Sequence, residues 1–499
     1  MMARNVLANL VGMAVSIAVQ AGLAFGGYRL AGAEQYGLIG FFTVMMTAAA
    51  IFDAGLGQTA TRAVARQQVE DAAGTGSLVF SFLLIYLALA LALILAVWAG
   101  SGLLATHWLK PQNIETSYVA SSLVLMGVAI GIQRLRGVFQ ATLEGLERQV
   151  TCNLLLASTG MLRLVLGLGA LAVEPSAHAF FWSQIAASVV ETGSFALAVG
   201  RVVPGAFRPR RPEMATIGQT MAFAGTNMAS AATGTFVQIA DSLVVSAMLP
   251  LSVFGTYSLV STMCSAMVRL TTPLITAAFP RMSAHVRGER VQELRVLFFT
   301  ASQATFVLML TAAGALVFFG GAFIELVSGR PDAARDFAPV LAALAVAYAL
   351  SGLCRPSHAL QMAEGDPATA LKSNLVTGAL YLPAILLLTP RYGVILPALC
   401  LIGANGLAFA IFTATAFRNR LKGLAGRWLR GSVLPQLLAV AAAYALVRAV
   451  TPESLPLLTR LAVAVGASGL ALAAAVLASD HLRAHLPGLR RPDGARAGA

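Results

Sequence analysis

Runs of apolar residues long enough to cross a bilayer recur from Val6 to Leu477, separated only by short polar breaks. A helix crossing the hydrocarbon core takes about 20 mostly apolar residues. A chain made of such runs has no water-soluble arrangement that covers them all. Charge content agrees, since 11% of residues are charged against about 25% in ordinary soluble domains. The bilayer is therefore the solvent, and the fold class is an all-α polytopic membrane protein. Residues 4 to 30 imitate a secretory signal, because Arg4 precedes an apolar stretch and Ala21-Gly22-Leu23-Ala24 resembles a cleavage site. The many later runs predict an uncleaved first helix instead.

Taken in order, the runs place spans near 6–28, 36–60, 77–100, 118–140, 151–172, 178–200, 216–240, 252–278, 296–324, 338–362, 371–389, 394–416, 433–450 and 458–478, about fourteen in all. Alternate loops then fall on opposite sides. One set carries most of the basic residues, among them Arg4, Arg62, Arg66, Arg148, Arg208, Arg281, Arg287, Lys372, Arg418 and Arg483. The other holds only Arg29, Lys110, Arg330, Arg335, Arg391 and Arg460. By the positive-inside rule the first set, with both termini, is cytoplasmic. The net charge of +13 thus reflects membrane topology and does not imply a nucleic-acid partner.

The chain also repeats itself weakly at an offset of 218 residues: Asn9 matches Asn227, Val19-Gln20 matches Val237-Gln238, and Tyr36-Gly37 corresponds to Phe254-Gly255. Six helices is an even offset, so the copies share one orientation, as in parallel transporter repeats. The expected organisation is a six-helix bundle over 1–212, a second over 213–420 related to it by a parallel pseudo-two-fold, and an added helix pair with a basic cytoplasmic tail over 421–499.

Sequence motifs argue against direct ATP hydrolysis and several familiar enzyme classes. The chain has no phosphate-cradling GxxxxGK[ST] loop, no HExxH helix and no GxSxG elbow. Cys152, Cys264, Cys354 and Cys400 lie far apart in apolar runs and read as packing residues. No cofactor or metal is expected. A membrane glycosyltransferase or polymerase would hold acids in a sizeable outer loop, yet the longest such loop, near 101–117, contains only Glu115 as an acid.

Ionisable and amide groups at membrane depth are the informative residues, because charge there is expensive and faces a partner or a cavity. Arg163 on span five and Glu191 on span six lie at similar depth by helical rise and are expected to form a structural ion pair. Asp53 and Pro273 are candidates for conformational or packing roles, and Pro383 and Pro397 permit further kinks. Gly127 and Gly131 have the spacing of a close helix contact. Arg134, Arg136, Arg269 and Arg355 each follow the outer start of a descending helix by about 16–18 residues, which places them in one third of the bilayer. Two readings stay open: snorkelling to headgroups, or a basic band gripping phosphate through bidentate hydrogen bonds. Asn9, Gln20, Asn227 and Gln238 would add groups suited to sugar hydroxyls, or would bond between helices.

Several motifs occur in order along the chain: Ala33-Glu-Gln-Tyr-Gly37, Asp53-Ala-Gly-Leu-Gly57 with Arg62, Gln140-Ala-Thr-Leu-Glu-Gly-Leu-Glu-Arg148, Asp241, Val253-Phe-Gly-Thr-Tyr257, Pro280-Arg-Met-Ser283 and Pro390-Arg-Tyr-Gly393. With them the chain resembles the polysaccharide flippases of the multidrug/oligosaccharidyl-lipid/polysaccharide (MOP) transporter superfamily. The resemblance implies two six-helix bundles working by alternating access on a polyprenyl-diphosphate-linked oligosaccharide, in a bacterial inner membrane, with membrane lipids and other polysaccharide assembly proteins as partners. Within it, Arg269, Arg134, Arg136 and Arg355, with the four amides, are the expected substrate-binding groups. A multidrug/cation antiporter would need carboxylates deep in the bundle, and span one has none. A lipid II flippase suits fourteen spans and a basic cavity equally well.

Overall fold

Nearly continuous apolar sequence with few internal prolines satisfies its backbone in the only way an open chain can inside lipid, by helix. In the computed structural model every element among the described residues is helical. The backbone is described for residues 2–53, 56–70, 74–208, 214–452 and 454–483, and side chains within these except 2–14, 52–53, 70 and 214–230. The helices are α1 (Met2–Asp53), α2 (Leu56–Glu70), α3 (Thr75–Leu103), α4 (Thr116–Gly145), α5 (Gln149–Val173), α6 (Ala177–Val202), α7 (Met214–Met248), α8 (Leu251–Arg269), α9 (Thr272–Arg287), α10 (Val291–Ser328), α11 (Pro331–Leu353), α12 (Arg355–Ala363), α13 (Pro367–Tyr392), α14 (Ile395–Asn419), α15 (Ala425–Trp428), α16 (Leu434–Val450), α17 (Leu457–Leu477) and α18 (Asp480–Arg483).

Twelve helices among the described residues are long and apolar enough to span a bilayer, or thirteen if the bent pair Val15–Ile51 and Leu56–Val69 counts as one span. The fourteen spans expected from the sequence count α1 as two. Its helical geometry fails at Gly32, where φ is 77°, a left-handed conformation that glycine adopts without steric cost. Two later spans are also broken. Leu270 and Thr271 separate α8 from α9, with Pro273 in the first turn of the second piece. Cys354 separates α11 from α12, which starts at Arg355 and also has proline in its first turn. Proline fits there because first-turn amides have no helical acceptor to lose.

The chain divides into two compact units, Met1–Leu259 with Leu386–Val394 and Val260–Ile385 with Ile395–Ala499. In the first, Leu78, Phe82 and Tyr86 of α3 pack with Val138 and Phe139 of α4 and with Phe195 and Val199 of α6. Lipid offers apolar groups no less than the protein does, so association rests on close packing. Gly127 and Gly131 permit it: a Cβ would stand 3.0 Å from Val97 at the first and 2.6 Å from Ile94 at the second. Glu34 and Gln35 tie loops to α1. The Glu34 carboxylate accepts from the backbone N–H groups of Gln112 (2.5 Å) and Asn113 (3.0 Å), and the Gln35 carbonyl oxygen accepts from the Ala177 N–H at 3.0 Å. At the same region α1 meets the start of α8 backbone to backbone. A Cβ on Gly255 would lie 1.9 Å from the Ala33 carbonyl oxygen and 2.9 Å from the Gly37 nitrogen, and one on Gly37 would lie 2.4 Å from the Leu251 carbonyl oxygen. The buried Tyr28 and Thr256 hydroxyls hydrogen-bond beside them at 2.9 Å.

The second unit is built around α10, which packs against α11, α16 and α17. Ala464, Ala467, Ala471 and Ala475 form the buried stripe of α17. Tyr444 of α16 donates to the Thr311 carbonyl of α10 at 2.8 Å.

Candidate functional site

Gln184, Ser188 and Glu191 recur at i, i+4 and i+7 on α6 and so line one face of that helix. Arg163 of α5 reaches all three. Its guanidinium donates to Gln184 at 2.9 Å, Ser188 at 3.2 Å and Glu191 Oε2 at 2.7 Å. From α4, Arg136 donates to Glu191 Oε1 at 2.8 Å. Glu191, with its side chain 6% exposed, is therefore held between two guanidinium groups. Two cations compensate the desolvation of one buried carboxylate, the pairing that makes charge tolerable away from water. Gly167 leaves room for this, since a Cβ there would be 3.0 Å from Gln184 Nε2.

Arg136 also faces a polar cavity of about 480 Å³, lined with Gln58, Thr61 and Arg62 of α2 and with Gln140 and Glu144 of α4. Tyr86 belongs to this cavity and to a neighbouring apolar one of about 240 Å³, in which Arg134 is the charged side chain. Thus Arg134 and Arg136, two residues apart on α4, serve adjoining cavities of opposite character within the first unit.

Arg269 and Arg355 lie in the second unit. Arg269 ends α8 and is exposed. Arg355 opens α12 and donates to the Val268 carbonyl at 3.1 Å, Thr271 Oγ1 at 3.1 Å and Thr272 Oγ1 at 2.9 Å. One guanidinium therefore links the break between α11 and α12 to that between α8 and α9. Among the amides, Gln238 is exposed, and the buried Gln20 Oε1 has no hydrogen-bond partner among the described residues. The side chains of Asn9, Asn227 and Asp53 lie outside the described residues. Asp241 is fully buried and accepts from Tyr257 at 2.6 Å. No cluster of three or more potential metal ligands occurs among the described residues.

Tyr86, Gln58 and Glu144 are not among the residues that the sequence marks as site groups. Gln58 and Glu144 stand in or beside quoted motifs, whereas Tyr86 carries no signal beyond being a polar aromatic inside an apolar run.

Long apolar helices enclosing a buried ion network define a multi-pass membrane protein, and its fold is that of MOP transporters. It is similar to a multidrug resistance MATE family transporter of the MOP superfamily in an inward-facing conformation, with a TM-score of 0.69, 13% identity, and coverage of 82% of this chain and 99% of that one. It is also similar to the lipid II flippase MurJ in an inward closed conformation, with a TM-score of 0.68, 12% identity, and coverage of 93% and 97%. A third similar structure is a MOP superfamily transporter from Pyrococcus furiosus, described as having a binding pocket of reverse polarity, with a TM-score of 0.56, 15% identity, and coverage of 85% and 96%. Residues 3–286, more than half of the chain, match the sequence model of the polysaccharide biosynthesis protein family, and the chain belongs to that family. Comparison with curated proteins finds no match.

Proposed function

We propose that the protein flips a polyprenyl-diphosphate-linked oligosaccharide from the cytoplasmic to the outer leaflet of a bacterial inner membrane, by alternating access, for cell-surface polysaccharide assembly. Residues 1–212 and 213–420 are the exchanging six-helix repeats, 421–499 is the added pair with its basic tail, and both termini are cytoplasmic. Other polysaccharide assembly proteins are its expected partners, and no covalent chemistry is required of it.

The observation that carries this reading is the sign of the cavity charge. Arg62, Arg134 and Arg136 line the two cavities of the first unit with one carboxylate, Glu144, and Arg136 shares its charge with Glu191 behind the wall. Guanidinium groups match phosphate oxygens in bidentate geometry. A cation antiporter needs an available acid, and two buried acids among the described residues do not serve: Glu191 is neutralised by two arginines and Asp241 is fully buried against Tyr257. Lipid II is a second candidate cargo, supported by fold likeness to a lipid II flippase over 93% of this chain; its diphosphate presents the same charge.

Arg269 is exposed at the end of α8, and the reading assigns it to substrate binding. Deleting the gene should make lipid-linked oligosaccharide accumulate on the cytoplasmic side. Complementation with Arg269→Glu should restore membrane insertion but not export, while Arg269→Lys should restore part of it, since the charge survives without the planar fork. Normal export by Arg269→Glu removes that residue from the site, and absence of any accumulation in the deletion strain overturns the flippase reading.

A further inference from the structure

The two cavities of the first unit differ in chemistry and meet at one side chain. Ala49 of α1 and Leu89, Ala92 and Ala96 of α3 form the apolar one, with Arg134 as its charged group. The polar one carries Arg62, Arg136 and Glu144. Tyr86 lines both and is 1% exposed. Its ring is pressed against α4 at Gly137, where a Cβ would stand 2.7 Å from Tyr86 Cε1.

Size limits what each can hold. Sites for whole small molecules run from about 300 to 1,000 Å³. The polar cavity, about 480 Å³, falls within that range, whereas the apolar one, about 240 Å³, takes only a segment of a longer chain. Ala92 and Ala96 are exposed along α3, as are Leu91 and Leu95 beside them. A chain can therefore continue out of the apolar cavity along that helix. The ligand that fits is amphipathic, with a compact anionic head and one apolar tail. A phosphoglyceride brings two acyl chains, more than an apolar cavity of about 240 Å³ takes. An isoprenoid diphosphate brings one chain and a doubly charged head.

We propose that these joined cavities are an entry site that holds the diphosphate and first isoprene units of the lipid carrier within the first unit alone. The identity of the lipid rests on the flippase reading. Arg134 lies in the apolar cavity and Arg136 in the polar one, so the diphosphate sits at the junction beside Tyr86 with the tail along α3. Glu144 faces the polar cavity and, with Gln140 bonded to it at 2.8 Å, disfavours a larger anionic head.

The test uses the full-length protein in nanodiscs of neutral phospholipid, photolabelled by a polyprenyl diphosphate with a diazirine on its first isoprene unit. Label is expected on α3 between Leu89 and Ala96. It should be displaced by excess unlabelled polyprenyl diphosphate and not by the same excess of phosphatidylglycerol. Arg134→Gln should lower labelling roughly tenfold, the worth of one charge-assisted hydrogen bond. Ala92→Trp, at an exposed position, should fill the apolar cavity and remove the α3 label from protein that remains monodisperse. Label outside α3 and α4, an undiminished α3 label in Ala92→Trp, or equal displacement by phosphatidylglycerol overturns the entry site. Vesicle flipping of a lipid-linked oligosaccharide separates the two ideas: protein that moves it with α3 unlabelled overturns the entry site alone, and protein labelled on α3 that moves nothing overturns the flippase reading alone.

Discussion

Glu191 carries two salt bridges on one carboxylate, and that asymmetry fixes what its neighbours can lose. In Arg163→Ala the acid keeps Arg136 at 2.8 Å and remains compensated. In Glu191→Ala both guanidinium groups lose their counter-charge at once. Breaking a buried pair from the side that leaves charge unmatched costs about 3–5 kcal/mol, whereas losing some hydrogen bonds of a still-paired group costs about 1–2 kcal/mol. Thermal unfolding of detergent-purified protein should therefore show Glu191→Ala much the less stable, and adding Arg163→Ala to it should recover only part of the loss, because Arg136 remains. Equal damage from the two single changes would sink this account. Helical rise alone puts Arg163 and Glu191 at similar depth, so that part of the network is written in the sequence. Arg136 is not, since depth gives no information on which face of α4 turns toward α6. Gln184 and Ser188 carry the face signal, at helical spacing ahead of Glu191.

At the scale of elements, the apolar runs specify where helices lie better than where they break. Pro273 marks the break after α8 legibly, by its ring and missing N–H. The break at Cys354 has a comparable cue in Pro356, inside a run that otherwise reads as one span. Gly32 is harder, because glycine is frequent in membrane helices and only the observed φ of 77° distinguishes this one. What no local pattern reveals is that Arg355 joins the breaks of two different spans. Leu270 and Thr271 close their turn through bonds to the Met267 and Val268 carbonyls at 3.1 and 3.2 Å, and Arg355 bonds the second carbonyl from outside. Arg355→Ala removes three acceptor contacts from that turn. Native-state hydrogen exchange should then accelerate at the Leu270 and Thr271 amides by roughly tenfold or more, the equivalent of one charge-assisted bond. Exchange in α17 should stay unchanged. Unaltered exchange at the turn would show that the helix ends hold it without the arginine.

For the whole molecule, composition and periodicity sufficed for the class of fold, because a bilayer permits so few solutions. The order of loose motifs carried the family, which the match over residues 3–286 shows. The cavities were beyond reach of the sequence. They depend on which small residues leave space, and Ala49, Ala92 and Ala96 look like every other alanine in an apolar run. The contact between α1 and α8 has the same character, yet its members were conspicuous as the two aromatic-glycine pairs. Gly255→Ala should lower the midpoint of thermal unfolding by several degrees, since its Cβ would meet backbone 1.9 Å away with no rotamer to yield. An unchanged midpoint would mean that the helices can part there at no cost. A deeper consequence concerns repair. When two side chains clash, trimming either one restores the fit, so such sites drift together through paired substitutions. Here both partners are already glycine and the nearest obstructing atom at each is a backbone carbonyl oxygen. A change at either position has nothing to pair with, and each glycine stands as a separate one-way constraint on the lineage.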